Sequence, residues 1–221
     1  MSAKRVKPET ISEPQHPMPV LSNLTVGAAD LHALVNGYHG APFAILGPHV
    51  VEVEGTPMLA IRAFRPLDAE VYVVEAGGQR TAMTCWHEAG FFETLLPPQA
   101  QDFRYKLLVI DKTGNEFELE DPYRFPPILT DYDLYLFGEG NFYFAYEKFG
   151  AHPATLNGVP GINFAVWAPN AQRVSLVGPF NGWDNRTPPM RRHAASGVWD
   201  LFFPHLTNGT HYKYAVQSRF L

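Results

Sequence analysis

The sequence predicts an all-β chain: two tandem immunoglobulin-like β-sandwiches, a short N-terminal helix and an aromatic-rich linker. The first observation is an internal repeat, in which residues 60–74 match 163–177 and residues 90–97 match 197–204. The second is the alternation of apolar and polar side chains along the repeated segments, which is typical of half-buried strands. The third is punctuation by proline and glycine at roughly the spacing of short antiparallel strands, about every 8–12 residues.

The offset between the two copies shows where they differ. Pro66 and Pro169 lie 103 residues apart, whereas Gly90 and Gly197 lie 107 residues apart. The second copy therefore has a loop that is longer by four residues, and this loop contains the segment PFNGWDNRTPP at 179–189. A tryptophan flanked by Asn-Gly and Asp is typical of a ring presented on a turn. If one of the two units has acquired a ligand site, we expect it to be the second.

The repeat also divides the chain into four segments. Residues 1–25 contain four prolines and few large apolar side chains, which predicts a disordered tail. Residues 26–125 form the first sandwich, which begins with a helix near residues 30–36. Residues 126–150 form the linker, whose aromatic side chains we expect to be buried between the sandwiches, because exposing so many rings favours aggregation. Residues 151–221 form the second sandwich.

The second sandwich is predicted to be incomplete. Its last residue, Leu221, aligns with Gly114 of the first copy, which continues into one further strand. A sheet that lacks this strand leaves backbone N–H and C=O groups unpaired. We therefore expect the chain to be the N-terminal portion of a longer protein.

Composition argues against several classes of function. The net charge is −5 without a basic stripe, so nucleic acid is not an expected partner. No apolar run reaches the length of a membrane span, and the single cysteine, together with the absence of a secretory segment, predicts a cytoplasmic protein. The nine histidines show no metal-site spacing, and no phosphate-binding, dinucleotide or nucleophile motif is present. We expect no catalytic residue, metal or cofactor in this chain.

The Trp183 turn is a candidate carbohydrate site. An exposed indole can pack on the C–H face of a pyranose, and burying about 100 Å² of apolar surface contributes roughly 2–3 kcal/mol. Lys213 and Asn181 could hydrogen-bond to sugar hydroxyls. Each residue has a structural alternative: Trp183 could cover its own loop, Asn181 could simply form the turn, and Lys213 could be a solvated lysine on the sheet, like Lys106 at the matching position.

The other aromatic residues of the second copy are predicted to be structural. Trp199 alternates with apolar residues and should lie in the core, and Trp167, at a strand end before Ala-Pro, should pack. Tyr212 and Tyr214 flank Lys213 and should face the core.

Taken together, the motifs resemble a known family. The segments PFAILGPH (42–49), DPYRF (121–125), YEKFGAHP (146–153) and GINFAVWAPNAQRVSLVGPFNGWD (161–184) resemble the N-terminal region of bacterial glycogen branching enzymes, the 1,4-α-glucan branching enzymes. The resemblance covers about residues 31–214. The part with WAPNA, FNGWD and YKY is also similar to the glycogen-binding modules of isoamylase-type debranching enzymes and of the AMP-activated kinase β subunit.

This resemblance implies two sandwich modules ahead of an α-amylase-type barrel. In relatives the barrel uses an Asp and a Glu to transfer an α-1,4-glucan segment to an α-1,6 branch point. No motif for that pair occurs here, so this chain alone is expected to be inactive and to hold or position α-glucan for its parent enzyme. The expected partners are α-1,4-glucans, such as glycogen and maltooligosaccharides, and the catalytic barrel of the parent chain.

The resemblance also implies roles for two residues. The tryptophan of the family's Asn-x-Trp turn matches Trp183, and the lysine of its Tyr-Lys strand matches Lys213; the second tryptophan and a further asparagine of such modules would follow Leu221. Two alternatives stay open. The sandwiches could be purely structural modules that buttress the barrel, or the chain could be a stand-alone glucan-binding adaptor.

Overall fold

The computed structural model describes residues 24–100 and 103–218, which form two antiparallel β-sandwiches in series. Residues 1–23 of the predicted tail lie outside the described residues. Thr25, which the sequence assigns to the tail, lies against the first sandwich instead. Its backbone N–H and its hydroxyl both donate to the carboxylate of Glu93, which also receives a hydrogen bond from buried Arg62.

A short helix precedes the first sandwich, as predicted. Helix α1 spans Ala28–Val35, and its buried residues Leu34 and Val35 pack in one cluster with Phe64 and Phe91 of the sandwich. The helix is therefore held by its apolar face rather than by its own length, since isolated helices this short are unstable in water.

The first sandwich contains two four-stranded sheets with the orders β1-β2-β6-β5 and β4-β3-β7-β8. Its strands are β1 Gly47–Val53, β2 Thr56–Phe64, β3 Asp68–Glu75, β4 Arg80–Ala82, β5 Thr84–His87, β6 Phe91–Leu96, β7 Tyr105–Asp111 and β8 Glu116–Leu119. The alternation noted in the sequence places Ile61, Val73, Phe92 and Leu107 in the core between the two sheets.

The second sandwich repeats this plan with a four-stranded sheet, β12-β13-β10-β9, and a two-stranded sheet, β11-β14. Its strands are β9 Gly150–Leu156, β10 Val159–Trp167, β11 Ala171–Val177, β12 Arg191–His193, β13 Val198–Pro204 and β14 Lys213–Ser218. Phe164, Leu176 and Trp199 are buried in its core. In the first sandwich β7 lies between β3 and β8, whereas its counterpart β14 has only β11 as a neighbour among the described strands.

The expectation that the linker rings are buried between the sandwiches is wrong. The linker forms helix α2, Asp131–Gly138, whose side chains Leu134 and Phe137 pack on Ala165 and Val198 of the second sandwich. A helix covers a sheet with one stripe of residues, so the remaining aromatic side chains face solvent. The exposed rings of the linker are Tyr132, Tyr135, Tyr143, Phe144 and Tyr146.

The two sandwiches contact each other through the DPYRF segment instead. The hydroxyl of Tyr123 donates to the carbonyl of Pro189 at 3.2 Å. The guanidinium of Arg191 donates to the carbonyl of Phe125 at 2.7 Å and lies 4.0 Å from the centroid of the Phe43 ring. The first sandwich therefore makes polar and aromatic contacts with the second sandwich close to the loop that carries Trp183.

Candidate carbohydrate-binding site

Trp183 lies in the loop between β11 and β12, which begins with a 3₁₀ turn at Pro179–Asn181. Gly182 and Trp183 both adopt a left-handed backbone conformation with φ of 62°. Such a conformation is uncommon for a residue with a side chain and persists only where the surrounding structure holds it. The N–H of Trp183 donates to the carbonyl of Gly178 at 2.9 Å, and 48% of the tryptophan surface remains exposed.

Asn181 holds this loop together from the inside. Its side-chain Oδ1 accepts a hydrogen bond from the N–H of Gly178 at 2.9 Å. Its Nδ2 donates to the carbonyls of Leu176 and Asp184 at 3.1 and 3.0 Å, and also to the carbonyl of Thr187. Because an amide has only two N–H donors, these bonds use the groups that could have reached a sugar. The geometry favours the turn-forming interpretation that the sequence left open.

An ion pair and a buried arginine brace the other side of the loop. The carboxylate of Asp184 accepts a hydrogen bond from the guanidinium of Arg186 at 2.6 Å, and this bond is the main cause of its lowered pKa. Arg173, which is almost fully buried, donates to the carbonyl of Asn185. The loop is thus fixed by side chains from within it and from the sheet below.

Lys213 lies beside the indole of Trp183, although thirty residues separate them in the sequence. It is the first residue of β14, opposite Val177 on β11, and its Nζ lies 5.9 Å from the centroid of the Trp183 ring. That distance is within the range of a cation–π contact, about 6 Å. The matching residue of the first copy, Lys106, instead pairs with Glu118 at 2.6 Å. Among the described residues, Lys213 forms an ion pair with no carboxylate.

Three other aromatic residues of the second sandwich lie as predicted. Trp199 is fully buried, and its Nε1 donates to the carbonyl of Ala168 at 3.1 Å. Tyr212 and Tyr214 are half-buried against the core, and burial raises the pKa of the Tyr214 hydroxyl.

Trp167 packs as predicted, but only in part. Its ring contacts that of Phe137 edge-on, with 6.0 Å between the centroids, yet 57% of the residue is exposed. It is the last residue of β10, where strand alternation stops giving information about burial. The sequence gives no signal that this second tryptophan is exposed, other than its position at a strand end.

Trp183 lines neither of two clefts on the part of the chain that the structure describes. The larger of these two clefts, about 560 Å³, includes Met58, Phe103 and Arg104 in its lining. Within residues 24–100 and 103–218, no three His, Cys, Asp or Glu side chains are grouped so that they could hold a metal ion. No helix in this part of the chain has the length and apolar character that crossing a membrane requires.

Comparison with known protein families gives two matches. Residues 27–123 match the family described as alpha-1,4-glucan branching enzyme GlgB, N-terminal domain. Residues 148–220 match carbohydrate-binding module 48, described as the isoamylase N-terminal domain. The two matches correspond to the two sandwiches.

Individual relatives agree with these matches. The chain is 48% identical over 189 residues to the 1,4-alpha-glucan branching enzyme GlgB of Rubrobacter xylanophilus, covering 85% of this chain and 25% of the relative. It is 50% identical over 190 residues to that of Rhodopseudomonas palustris, covering 86% and 25%. It is 44% identical over 200 residues to that of Methylococcus capsulatus, covering 90% and 26%. The chain therefore spans about a quarter of the length of these relatives.

Solved structures add little. A pullulanase complexed with maltotriose from Anoxybacillus sp. LM18-11 aligns with a TM-score of 0.27 and 17% identity, over 79% of this chain and 24% of that chain. A likeness this low carries no argument.

Proposed function

We propose, because this chain belongs to the 1,4-α-glucan branching enzyme family and spans its N-terminal region, that its second sandwich holds linear α-1,4-glucan on a surface built from Trp183 and Lys213. The observation that most supports this is the half-exposed indole beside a lysine that pairs with no carboxylate among the described residues. The loop beneath is braced by Asn181, so the indole is presented on a preformed surface.

The chemistry of these two side chains fits a glucan. The indole face would pack on the C–H groups of one glucosyl ring, and the ammonium of Lys213 would donate to hydroxyl oxygens at its rim. Burial of about 100 Å² at about 25 cal/mol/Å² contributes roughly 2–3 kcal/mol before the costs of binding. Since a Kd of 1 mM corresponds to about −4 kcal/mol, the indole contact alone gives a Kd above about 1 mM, and hydrogen bonds are needed to bring it nearer to that value.

Weak binding suits a tethering role. In the whole protein we assign transfer of an α-1,4-glucan segment to an α-1,6 branch point to a catalytic barrel in the part of the relatives that this chain does not span. A glucan held near that barrel would meet it at a raised effective concentration, without tight contact. The proposal requires no metal, cofactor, nucleic acid or membrane. We also propose that the protein is cytoplasmic, since its single cysteine, the exposed Cys85, would remain reduced there.

Isothermal calorimetry with maltoheptaose tests this proposal. The unaltered chain should bind, and Trp183→Ala should abolish measurable binding. Trp167→Ala is the matched control, because it removes an exposed tryptophan of the same sandwich that lies outside the proposed surface, and it should bind normally. If Trp183→Ala binds as well as the unaltered chain, or neither binds, the sandwiches would be structural supports and the proposal would be wrong.

A further inference from the structure

The first sandwich places an apolar side chain at the border of the Trp183 loop. Leu67, in the turn between β2 and β3, is 52% exposed. Its Cδ1 lies 4.0 Å from the position that a Cβ on Gly182 would occupy. Since Gly182 directly precedes Trp183, the two half-exposed apolar side chains stand on adjoining segments of the two sandwiches.

The turn that carries this side chain is firmly fixed. The N–H of Asp68 donates to the carbonyl of Arg65 at 3.2 Å, which closes the turn. The N–H of Arg65 donates to the carbonyl of Gly90 at 2.7 Å, and Nζ of Lys112 donates to the carbonyl of Pro66 at 3.2 Å. Proline also restricts its own φ. The leucine is therefore presented on a rigid support, which lowers the entropy lost when it contacts a ligand.

The second copy shows that this turn does not require a leucine. The matching turn carries Pro169 and Asn170 and is closed by the same bond, from the N–H of Ala171 to the carbonyl of Ala168 at 3.1 Å. Gly197 packs beneath this turn. A Cβ at that position would lie only 2.7 Å from Cα of Pro169, so a side chain has no room there. Asparagine suits such a turn better than leucine does. The apolar side chain of the first copy therefore has a reason outside the turn itself.

We infer that Leu67 is a second contact for the glucan held on Trp183, so that the two sandwiches bind one chain together; this rests on the function proposed above. A short oligosaccharide covers only the indole. A longer one extends beyond the indole onto neighbouring surface, and Leu67 is an exposed apolar side chain of the first sandwich that borders the loop. The first sandwich thereby gives the surface a preference for longer chains.

The test compares two ligand lengths on variants of the intact chain. Leu67→Asn introduces the residue that the second copy carries, so the turn should fold normally. It should weaken maltoheptaose binding roughly five-fold, the loss expected for about 40 Å² of apolar contact, and leave maltotriose binding unchanged. Leu67→Met should keep maltoheptaose binding close to that of the unaltered chain. Val50→Thr is the control at a more exposed apolar position of the first sandwich, 80% exposed, and should change neither affinity.

The outcomes separate this inference from the proposed function. Maltoheptaose binding that is lost in Trp183→Ala but unchanged in Leu67→Asn overturns the inference alone. Equal losses for both ligands, or a lowered melting temperature in Leu67→Asn, would show that Leu67 acts by supporting the loop, which also overturns it. An unaltered chain that binds neither ligand overturns both.

Discussion

Replacing Asn181 with alanine should destabilise the Trp183 loop. The substitution removes the partner of the Gly178 N–H and of three carbonyls, those of Leu176, Asp184 and Thr187. If each of these four hydrogen bonds contributed about 0.5–1.5 kcal/mol, their total contribution to stability would be about 2–6 kcal/mol. Water can reach part of this half-buried loop, so we expect a loss of about 2–3 kcal/mol in the free energy of unfolding.

Urea denaturation followed by tryptophan fluorescence measures this loss, because three of the four tryptophans lie in the second sandwich. With a slope of about 2 kcal/mol/M, the midpoint should fall by about 1–1.5 M. Asn208→Ala changes an exposed asparagine in another loop of the same sandwich and should leave the midpoint in place.

The same variant distinguishes the two interpretations of Asn181. If it acts by bracing the loop, maltoheptaose affinity should fall together with stability. A variant with an unchanged urea midpoint and lost maltoheptaose binding would show direct contact with the sugar, and the reasoning from the loop hydrogen bonds would be refuted.

Charged side chains give three more testable expectations. Lys213→Gln should weaken maltoheptaose binding several-fold in calorimetry, whereas the matching change Lys106→Gln should not, because that lysine already pairs with a carboxylate. The pKa of Asp184 is lowered from 3.8, so its ion pair should stabilise the loop above that pH and lose this contribution as the pH falls further; tryptophan fluorescence should show an acid transition that is reduced in Asp184→Asn. Arg62→Met leaves the buried carboxylate of Glu93 without its cation and should lower the free energy of unfolding by about 3 kcal/mol in urea denaturation.

A specific result would contradict each of these three expectations. Equal effects at the two lysine positions would place the sugar away from Lys213. An acid transition that is identical with and without Asp184 would assign it to other carboxylates. A stable Arg62→Met variant would mean that Thr25, which also donates to Glu93, satisfies the carboxylate alone.

The repeat made most of the fold predictable. Both copies alternate with a period of two, so the alternation alone identifies their inward-facing residues, such as Ile61 and Phe164. The four extra residues of the second copy likewise indicated the loop that presents Trp183. The alternation and the longer loop are both properties of short segments, so they can be recognised from the sequence without the structure.

Features that depend on tertiary arrangement were not predictable. The composition of the linker gave the number of aromatic rings but not their orientation, and α2 uses only Leu134 and Phe137 to cover its sheet. The residue type of Asn181 suited both a sugar contact and a turn, and only its bonds to the loop separate the two. The approach of Leu67 to Gly182 joins segments from different sandwiches, for which sequence spacing gives no signal.

The outward-facing rings of the linker have a consequence for handling and for assembly. Tyr132, Tyr135, Tyr143, Phe144 and Tyr146 are all wetted by solvent, and such surfaces attract one another as protein concentration rises. Solutions of this chain should show a negative second virial coefficient in light scattering, rising toward zero when those tyrosines are replaced by serine. In a longer polypeptide, a neighbouring domain that packed on these rings would remove few charged groups from water.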